Sequence, residues 1–387
     1  QSNIEPATRA RFARVLAMVG TPEEIRDLVN SDSVDAATLE GLIESWATRK
    51  QRPAPPFVPR LAELIRSPDP ELRIAAIELA GLWKAMPLAV PIREIALDAD
   101  HPVQLRVAAL HSLSRLQENE SISFLSELVE KDSDLRVGAI EALTFTPKGL
   151  MKAAELSSKF LSPENASEIL GLFLNRKGGS AALAASLKKE DSNLSSELAT
   201  SMALEMGRIG RSDSELLAVL NAERGVQTGA PAYSPDKVAA IVASVKEKGN
   251  ATAGKEIFHR AELTCVACHQ LKGVGGILGP SLDTVGAGLP LDLIVESVLW
   301  PDRQLKEGYF ALSVSTKAGD VYLGYSEGEQ DGVLQLRDTA SGKIQRIPNG
   351  QISERSNVGT LMPPGLTNSL SEEELRDLIA YLASLRG

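Results

Sequence analysis

Cysteine is nearly missing from this chain of 387 residues, which has two, at 265 and 268. A disulfide framework is excluded as the main source of stability, because it needs several bridges. Aromatic residues make up only 4%. With Ala and Leu abundant, that favours packed helices over a β-sandwich. A basic excess is absent too: the net charge is −10. Nucleic acid is therefore not an expected partner, since phosphate binding needs a basic face. The acidity serves solubility and can steer a basic protein partner. No run reaches about 18 apolar residues, so no transmembrane segment is expected. The opening "QSNIEPATRARF" has neither Met nor the apolar stretch of a signal peptide. The chain is expected to be a mature protein or a piece of a longer one.

What is present is helix after helix over residues 1–222. Three segments share a pattern: "SPDPELRIAAIELAGL" (67–82), "DADHPVQLRVAALHSLSRL" (98–116) and "EKDSDLRVGAIEALTF" (130–145). Each has an acidic or Pro-rich turn, then a Leu-Arg pair, then small and apolar residues at helical spacing. The pairs are Leu72-Arg73, Leu105-Arg106 and Leu135-Arg136, stepping by 33 and 30 residues. A fixed period of this size marks a solenoid, in which stacked helix pairs bury what one pair cannot. Ala75, Ala76, Ala108, Ala109, Gly138 and Ala139 allow close helix approach. The pattern resembles HEAT-like repeats, with steps shorter than the usual period. The three arginines are expected to be structural, bonding acidic residues of adjacent turns. Residues 147–222 keep helical character without the clean repeat.

"NAERGVQTGAPAYSPDK" (221–237) gathers turn formers and marks a boundary. The expected division is a solenoid at 1–222, a linker and connecting helix at 223–250, and a second domain at 251–387. In that domain "GKEIFHRAEL" (254–263), "LPLDLIVESVLWP" (289–301) and "SEEELRDLIAYLASL" (371–385) read as helices. The last opens with a capping box, Ser371 with Glu374. Between them "YFALSVST", "DVYLGYSEG", "GVLQLRD" and "KIQRIP" alternate between short turns. They predict a four-stranded antiparallel meander inserted at about 307–350. The expected fold class is mainly α, a solenoid followed by a small helical domain with an inserted β module.

The two cysteines sit in "CVACHQ" (265–270), with His269 directly after the second. A structural zinc site needs about four N or S ligands. The chain offers two Cys and four His, and no second paired cluster. A thioredoxin-like dithiol would sit near a βαβ pattern, and none is visible. A chance occurrence stays open. The spacing is that of c-type haem attachment. Two thiols three residues apart share a face of a helical turn, each able to form a thioether with one haem vinyl group, and His269 follows as the proximal ligand.

The flanks of the motif make the domain resemble a class I cytochrome c. Gly254 and Phe258 look like that family's N-terminal helix, which packs on the C-terminal helix, here around Tyr381 and Leu382. "GGILGPSL" (275–282) resembles its loop after the haem motif. The resemblance implies that the Pro280 carbonyl accepts a hydrogen bond from His269, fixing its tautomer. Met362 in "GTLMPPGL" is the only one of six methionines after the motif. It stands where that family keeps its sixth ligand, and a His/Met pair suits electron transfer. His259, His101 and His111 are not expected to reach iron. His269 and Met362 lie 93 residues apart, long for a compact cytochrome, and the β insertion accounts for the excess. "WPDRQLKEGYFALSVSTKAGDVYLGY" and the segment from Ile347 to Leu382 resemble a haem-binding domain family of planctomycetes and verrucomicrobia, over roughly 251–387. In that family HEAT-like repeats often precede the cytochrome, and a longer chain can carry a dehydrogenase-like β-propeller.

The resemblance implies one haem c per chain, held by Cys265 and Cys268 and ligated by His269 and Met362, with Pro280 orienting His269. One-electron transfer follows, with no catalysis by this chain alone, because both axial positions are filled. The partner is expected to be a redox protein such as a dehydrogenase, docked on the solenoid. The location is expected to be periplasmic or otherwise exported, where haem c is attached. Two alternatives belong to other classes: a haem enzyme or sensor with an open sixth position, and a protein-interaction scaffold. Trp300, Tyr309, Phe310, Tyr322 and Tyr325 are expected to form the seam between the β module and the helices.

Overall fold

Helix starts are written into the turns. Asp69 accepts hydrogen bonds from the backbone N–H of Glu71 (3.0 Å) and Leu72 (3.3 Å), and Pro70 opens the helix Pro70–Leu82. Its buried face is Ala75, Ala76, Ile77, Leu79, Ala80 and Gly81. The computed structural model describes residues 5–387 except 47, 117 and 228. The chain forms two compact units, 1–160 and 161–387.

In the first unit the helices Pro6–Val19, Ala36–Trp46, Pro70–Leu82, Val103–Leu116 and Arg136–Leu143 lie side by side, each against the next. Glycine sets two of these spacings. A Cβ on Gly81 would stand 2.9 Å from the Ser112 Cα, and one on Gly138 2.7 Å from the Val107 Cγ2. The Leu-Arg pairs have a shared role that differs in part from the expected one. Arg73, Arg106 and Arg136 each donate from Nε to a backbone carbonyl at the end of an earlier helix: Ile65 (3.1 Å), Ala96 (3.0 Å) and Val129 (2.9 Å). Helix ends leave carbonyls without intrahelical partners, and the guanidinium satisfies one in each repeat. Of the three, Arg106 also meets the expected kind of acidic partner, Asp132, at 3.1 Å.

The second unit opens with the helices Ala166–Leu174, Gly179–Leu187, Ser196–Arg208 and Ser214–Glu223. A non-helical stretch leads to the helix Pro235–Lys248. The mainly helical domain that follows is built on a crossing of Ala251–Phe258 with Glu372–Ser384. Gly254 sits at the crossing, where a Cβ would run into the Asp377 carbonyl oxygen and stand 2.8 Å from the Tyr381 Cβ. Phe258 meets Tyr381 with ring centroids 5.6 Å apart. The core around them holds Ile257, Phe258, Ile294, Val295, Leu378, Ile379 and Leu382. Ser371 and Glu374 form the expected capping box. A mainly helical domain carrying an inserted antiparallel sheet thus follows the helical solenoid.

The sheet has five strands, one more than the sequence pattern predicts. Ala311–Thr316, Val321–Gln330, Val333–Asp338 and Ile344–Pro348 form the meander, and Ile352–Gly359 pairs with Ala311–Thr316 on the other side. Asp331-Gly332, both at positive φ (52° and 75°), turn the 330–333 hairpin. The fifth strand, "ISERSNVG", is an exposed edge with no alternation for a period-two pattern to catch. Among the described residues no helix is long and apolar enough to cross a membrane.

Candidate cofactor site

Cys265–Cys268 form a single helical turn, closed by the His269 N–H donating to the Cys265 carbonyl at 2.8 Å. That turn places both thiols on one side, because residues three apart are neighbours on a helix. His269 leaves it in extended conformation. Its Nδ1 lies 2.8 Å from the Pro280 carbonyl oxygen. A carbonyl only accepts, so Nδ1 carries the proton and Nε2 keeps the free lone pair.

The 275–280 loop lies on the motif through backbone bonds. Gly276 N–H donates to Val266 O at 2.9 Å, and Gly279 N–H to Cys268 O at 2.7 Å. The approach depends on missing side chains. A Cβ on Gly276 would overlap the Ala267 carbonyl, and one on Gly279 would lie 2.5 Å from His269 Cε1. The imidazole therefore rests against the Gly279 backbone.

Burial sets the ionisation of these groups. It pushes the Cys265 thiol up to about 12, aided by neighbouring Cys268 and opposed by a backbone hydrogen bond. Burial alone pushes Cys268 up to about 11. It also lowers His269, partly offset by the Pro280 bond. At neutral pH the site holds two protonated thiols and a neutral imidazole. A redox dithiol works through a lowered thiol pKa, the opposite of this pattern. Among the described residues no three His, Cys, Asp or Glu side chains converge as a cage for a metal ion.

Met362 follows the fifth strand. Its N–H donates to Thr360 Oγ1 at 3.0 Å, and it is half-buried. Its neighbour Leu361 packs with Ala311, Leu323, Tyr325 and Tyr309. Tyr325 donates its hydroxyl to the Leu278 carbonyl at 2.7 Å. Leu278 and Leu361 also meet at Gly210, where both Cδ1 atoms lie 3.3 Å from the position of an added Cβ. The segment before Met362 and the loop before Pro280 thus share one apolar contact region.

Three elements of this site are absent from the sequence reading. At the end of helix Ser196–Arg208, Gly207 stands against the motif and Gly210 against the loop before Pro280. Cys268 Sγ lies 3.5 Å from the Gly207 carbonyl, and a Cβ on Gly207 would lie 3.1 Å from Thr264 Cγ2. Their signal is the pair of glycines in "MGRIGR", inside a stretch read only as helical. The third is the Tyr325 hydroxyl bond. The other aromatics divide. Trp300 is buried and donates to the Pro231 carbonyl at 2.6 Å, and Tyr309 packs on Tyr325 at 5.5 Å. Phe310, expected in the seam, is 50% exposed, because the chain turns into the sheet there with its ring outward. His259 is exposed and bonded to the Lys255 carbonyl at 2.8 Å. His101 lies against Arg73 and Asp98, and His111 against Glu141, all in the first unit.

Residues 58–144 match the family model of HEAT repeats. No curated protein matches the chain. The chain thus carries HEAT repeats, stacked helix pairs whose extended faces suit protein partners. The match stops short of 251–387, where the resemblance rests on motifs alone.

Proposed function

We propose that this chain is a protein-docking solenoid joined to a c-type cytochrome domain that passes single electrons through one covalently attached haem. The observation that carries the reading is the 2.8 Å bond from His269 Nδ1–H to the Pro280 carbonyl. It leaves Nε2 as the metal-binding nitrogen of a neutral ring, and such a bond raises ligand basicity. The donor set fits haem c: two reduced thiols on one helical turn, an oriented imidazole directly after them, and a loop of glycines that admits no side chain beside the ring.

When bound, haem supplies a reversible ferric–ferrous couple. Cys265 and Cys268 would anchor it through two thioether bonds, one to each vinyl group. His269 would ligate the iron through Nε2, and Met362 would supply a soft thioether ligand, a pairing that raises the potential and suits electron transfer. Leu278 and Leu361 close over Gly210 next to the loop that would orient His269. The domain is of the planctomycete and verrucomicrobial haem-binding type. The protein works in the periplasm or another exported compartment, and a redox protein such as a dehydrogenase docks on the solenoid.

A second reading is favoured by the HEAT match itself: protein scaffolding is the main task, and the haem domain senses or stabilises. Absorption spectra of the protein, matured in a host that makes c-type cytochromes, decide between them. A six-coordinate low-spin spectrum with a far-red sulfur-to-iron band, lost in Met362→Ala, supports electron transfer. A high-spin spectrum indifferent to Met362→Ala moves an open-site enzyme or sensor ahead. No haem at all leaves the scaffold.

A further inference from the structure

We propose that Tyr325 of the inserted sheet is a positioning residue for His269, acting through the carbonyl of Leu278. The inference rests on the haem reading for its purpose and on the loop geometry for its substance. Three consecutive loop residues are each held by a different partner. The Leu278 carbonyl accepts from the Tyr325 hydroxyl at 2.7 Å, the Gly279 N–H donates to Cys268 at 2.7 Å, and the Pro280 carbonyl accepts from His269 at 2.8 Å. Gly279 is also the surface on which the imidazole rests. Moving the Leu278 carbonyl rotates the peptide plane next to that surface and carries Pro280 with it, since each peptide unit is rigid.

Tyr325 is built to hold its position. It is 4% exposed, and its ring meets Tyr309 edge-on at 5.5 Å and the Arg337 guanidinium at 5.3 Å from the ring centroid. Two sheet neighbours fix its backbone, Ala311 on one side and Arg337 on the other. Burial and the nearby Cys268 and Tyr309 push its hydroxyl well above the usual phenol range, so it stays a donor. This assigns a task to an insertion that lengthens the path from His269 to Met362. The sheet reaches back and clamps the loop that orients the ligand. A buried tyrosine ordinarily finds some partner for its hydroxyl. What sets this one apart is that its acceptor lies two residues from the carbonyl that fixes the imidazole tautomer.

The test uses the full chain without haem, carrying ¹⁵N-labelled histidine, and compares wild type with Tyr325→Phe, which keeps the ring. Wild type is expected to show His269 as the Nδ1–H tautomer alone. Tyr325→Phe is expected to show a mixture of tautomers, with Gly279 amide exchange faster by about tenfold, as local opening becomes easier. Gly279→Ala serves as the displaced-ring reference, and Tyr309→Phe is expected to behave as wild type. Unchanged tautomer and exchange in Tyr325→Phe overturn the proposal, as does a Tyr309→Phe variant that behaves like it. These readouts need no haem, so they stand apart from the haem reading, which fails if no haem attaches to the wild type. In the haem-loaded protein, Tyr325→Phe is expected to raise the midpoint potential, because a weaker Nδ1–H bond makes the ligand less basic. An unshifted potential counts against the proposal.

Discussion

Gly254→Ala is expected to destabilise the C-terminal domain although alanine is the better helix former. On propensity alone the change gains about 1 kcal/mol. The crossing reverses the sign. The new methyl would run into the Asp377 carbonyl oxygen and stand 2.8 Å from the Tyr381 Cβ, so both obstacles sit on or next to the opposing helix backbone. Neither can rotate away, and the helices Ala251–Phe258 and Glu372–Ser384 must separate. Overpacking of this kind costs typically about 1–3 kcal/mol, and a backbone obstacle places it at the upper end. Separation also strains the bond from the Asn250 N–H to Asp377 Oδ1, 3.0 Å long at the same crossing. The expected net loss is about 2 kcal/mol. Gly171 provides the matched control: it lies in helix Ala166–Leu174, and nothing stands within 4 Å of an added Cβ. Gly171→Ala is expected to stabilise by about 0.5–1 kcal/mol. Urea unfolding gives both values, and amide exchange at 254–258 and 378–382 localises the first. A Gly254→Ala protein as stable as wild type would refute the tight crossing.

Arg106 is 7% exposed and bonds both the Ala96 carbonyl and Asp132. Arg106→Ala is expected to cost about 2 kcal/mol in thermal or urea unfolding, since it strands the Ala96 carbonyl and removes the charged partner of Asp132, which keeps its backbone N–H bonds from Asp134 and Leu135. Arg106→Lys should recover little of this, because one ammonium cannot span both acceptors; full recovery would contradict the fork geometry. The pH response of Asp377 has a defined sign. The Arg376 guanidinium and the Asn250 N–H hold its carboxyl below the usual range, against an opposing push from burial. Its contribution is full above the unfolded value of about 3.9 and is lost as pH falls through the lower folded value. The stability gap between wild type and Asp377→Asn should close over that window and stay constant from pH 5 to 7. Gly207→Val is expected to crowd Thr264 and disturb the Cys268 turn while the first unit keeps its stability, read by thiol alkylation rates in the haem-free protein; unchanged rates would remove helix Ser196–Arg208 from the site.

The solenoid is legible in the sequence because its repeat is a packing repeat. The Leu-Arg pairs recur where each helix meets the previous one, and 58–144 is matched as HEAT repeats. What the arginines bond is less legible, since their acceptors are backbone carbonyls that leave no mark in composition. Ser371 with Glu374 and Asp331-Gly332 are local signals, and they place a helix start and a hairpin. The edge strand Ile352–Gly359 escapes because its order comes from pairing with Ala311–Thr316 and not from a buried face. At the site, Cys265, Cys268 and His269 announce themselves by spacing. Gly207, Gly210 and the Tyr325 hydroxyl act from 61 residues before Cys268 to 47 beyond Leu278. Contacts over such separations exist only once the chain is folded.

Covalent haem attachment is read from the intact mass of the full chain, expressed with c-type cytochrome maturation and denatured before measurement. The expected mass is that of the polypeptide plus one haem, a gain that survives denaturation, falls in Cys265→Ser and Cys268→Ser, and disappears when both are replaced. A wild-type chain at its bare polypeptide mass would overturn this, and the cysteines would then be two half-buried thiols in a chain that carries HEAT repeats.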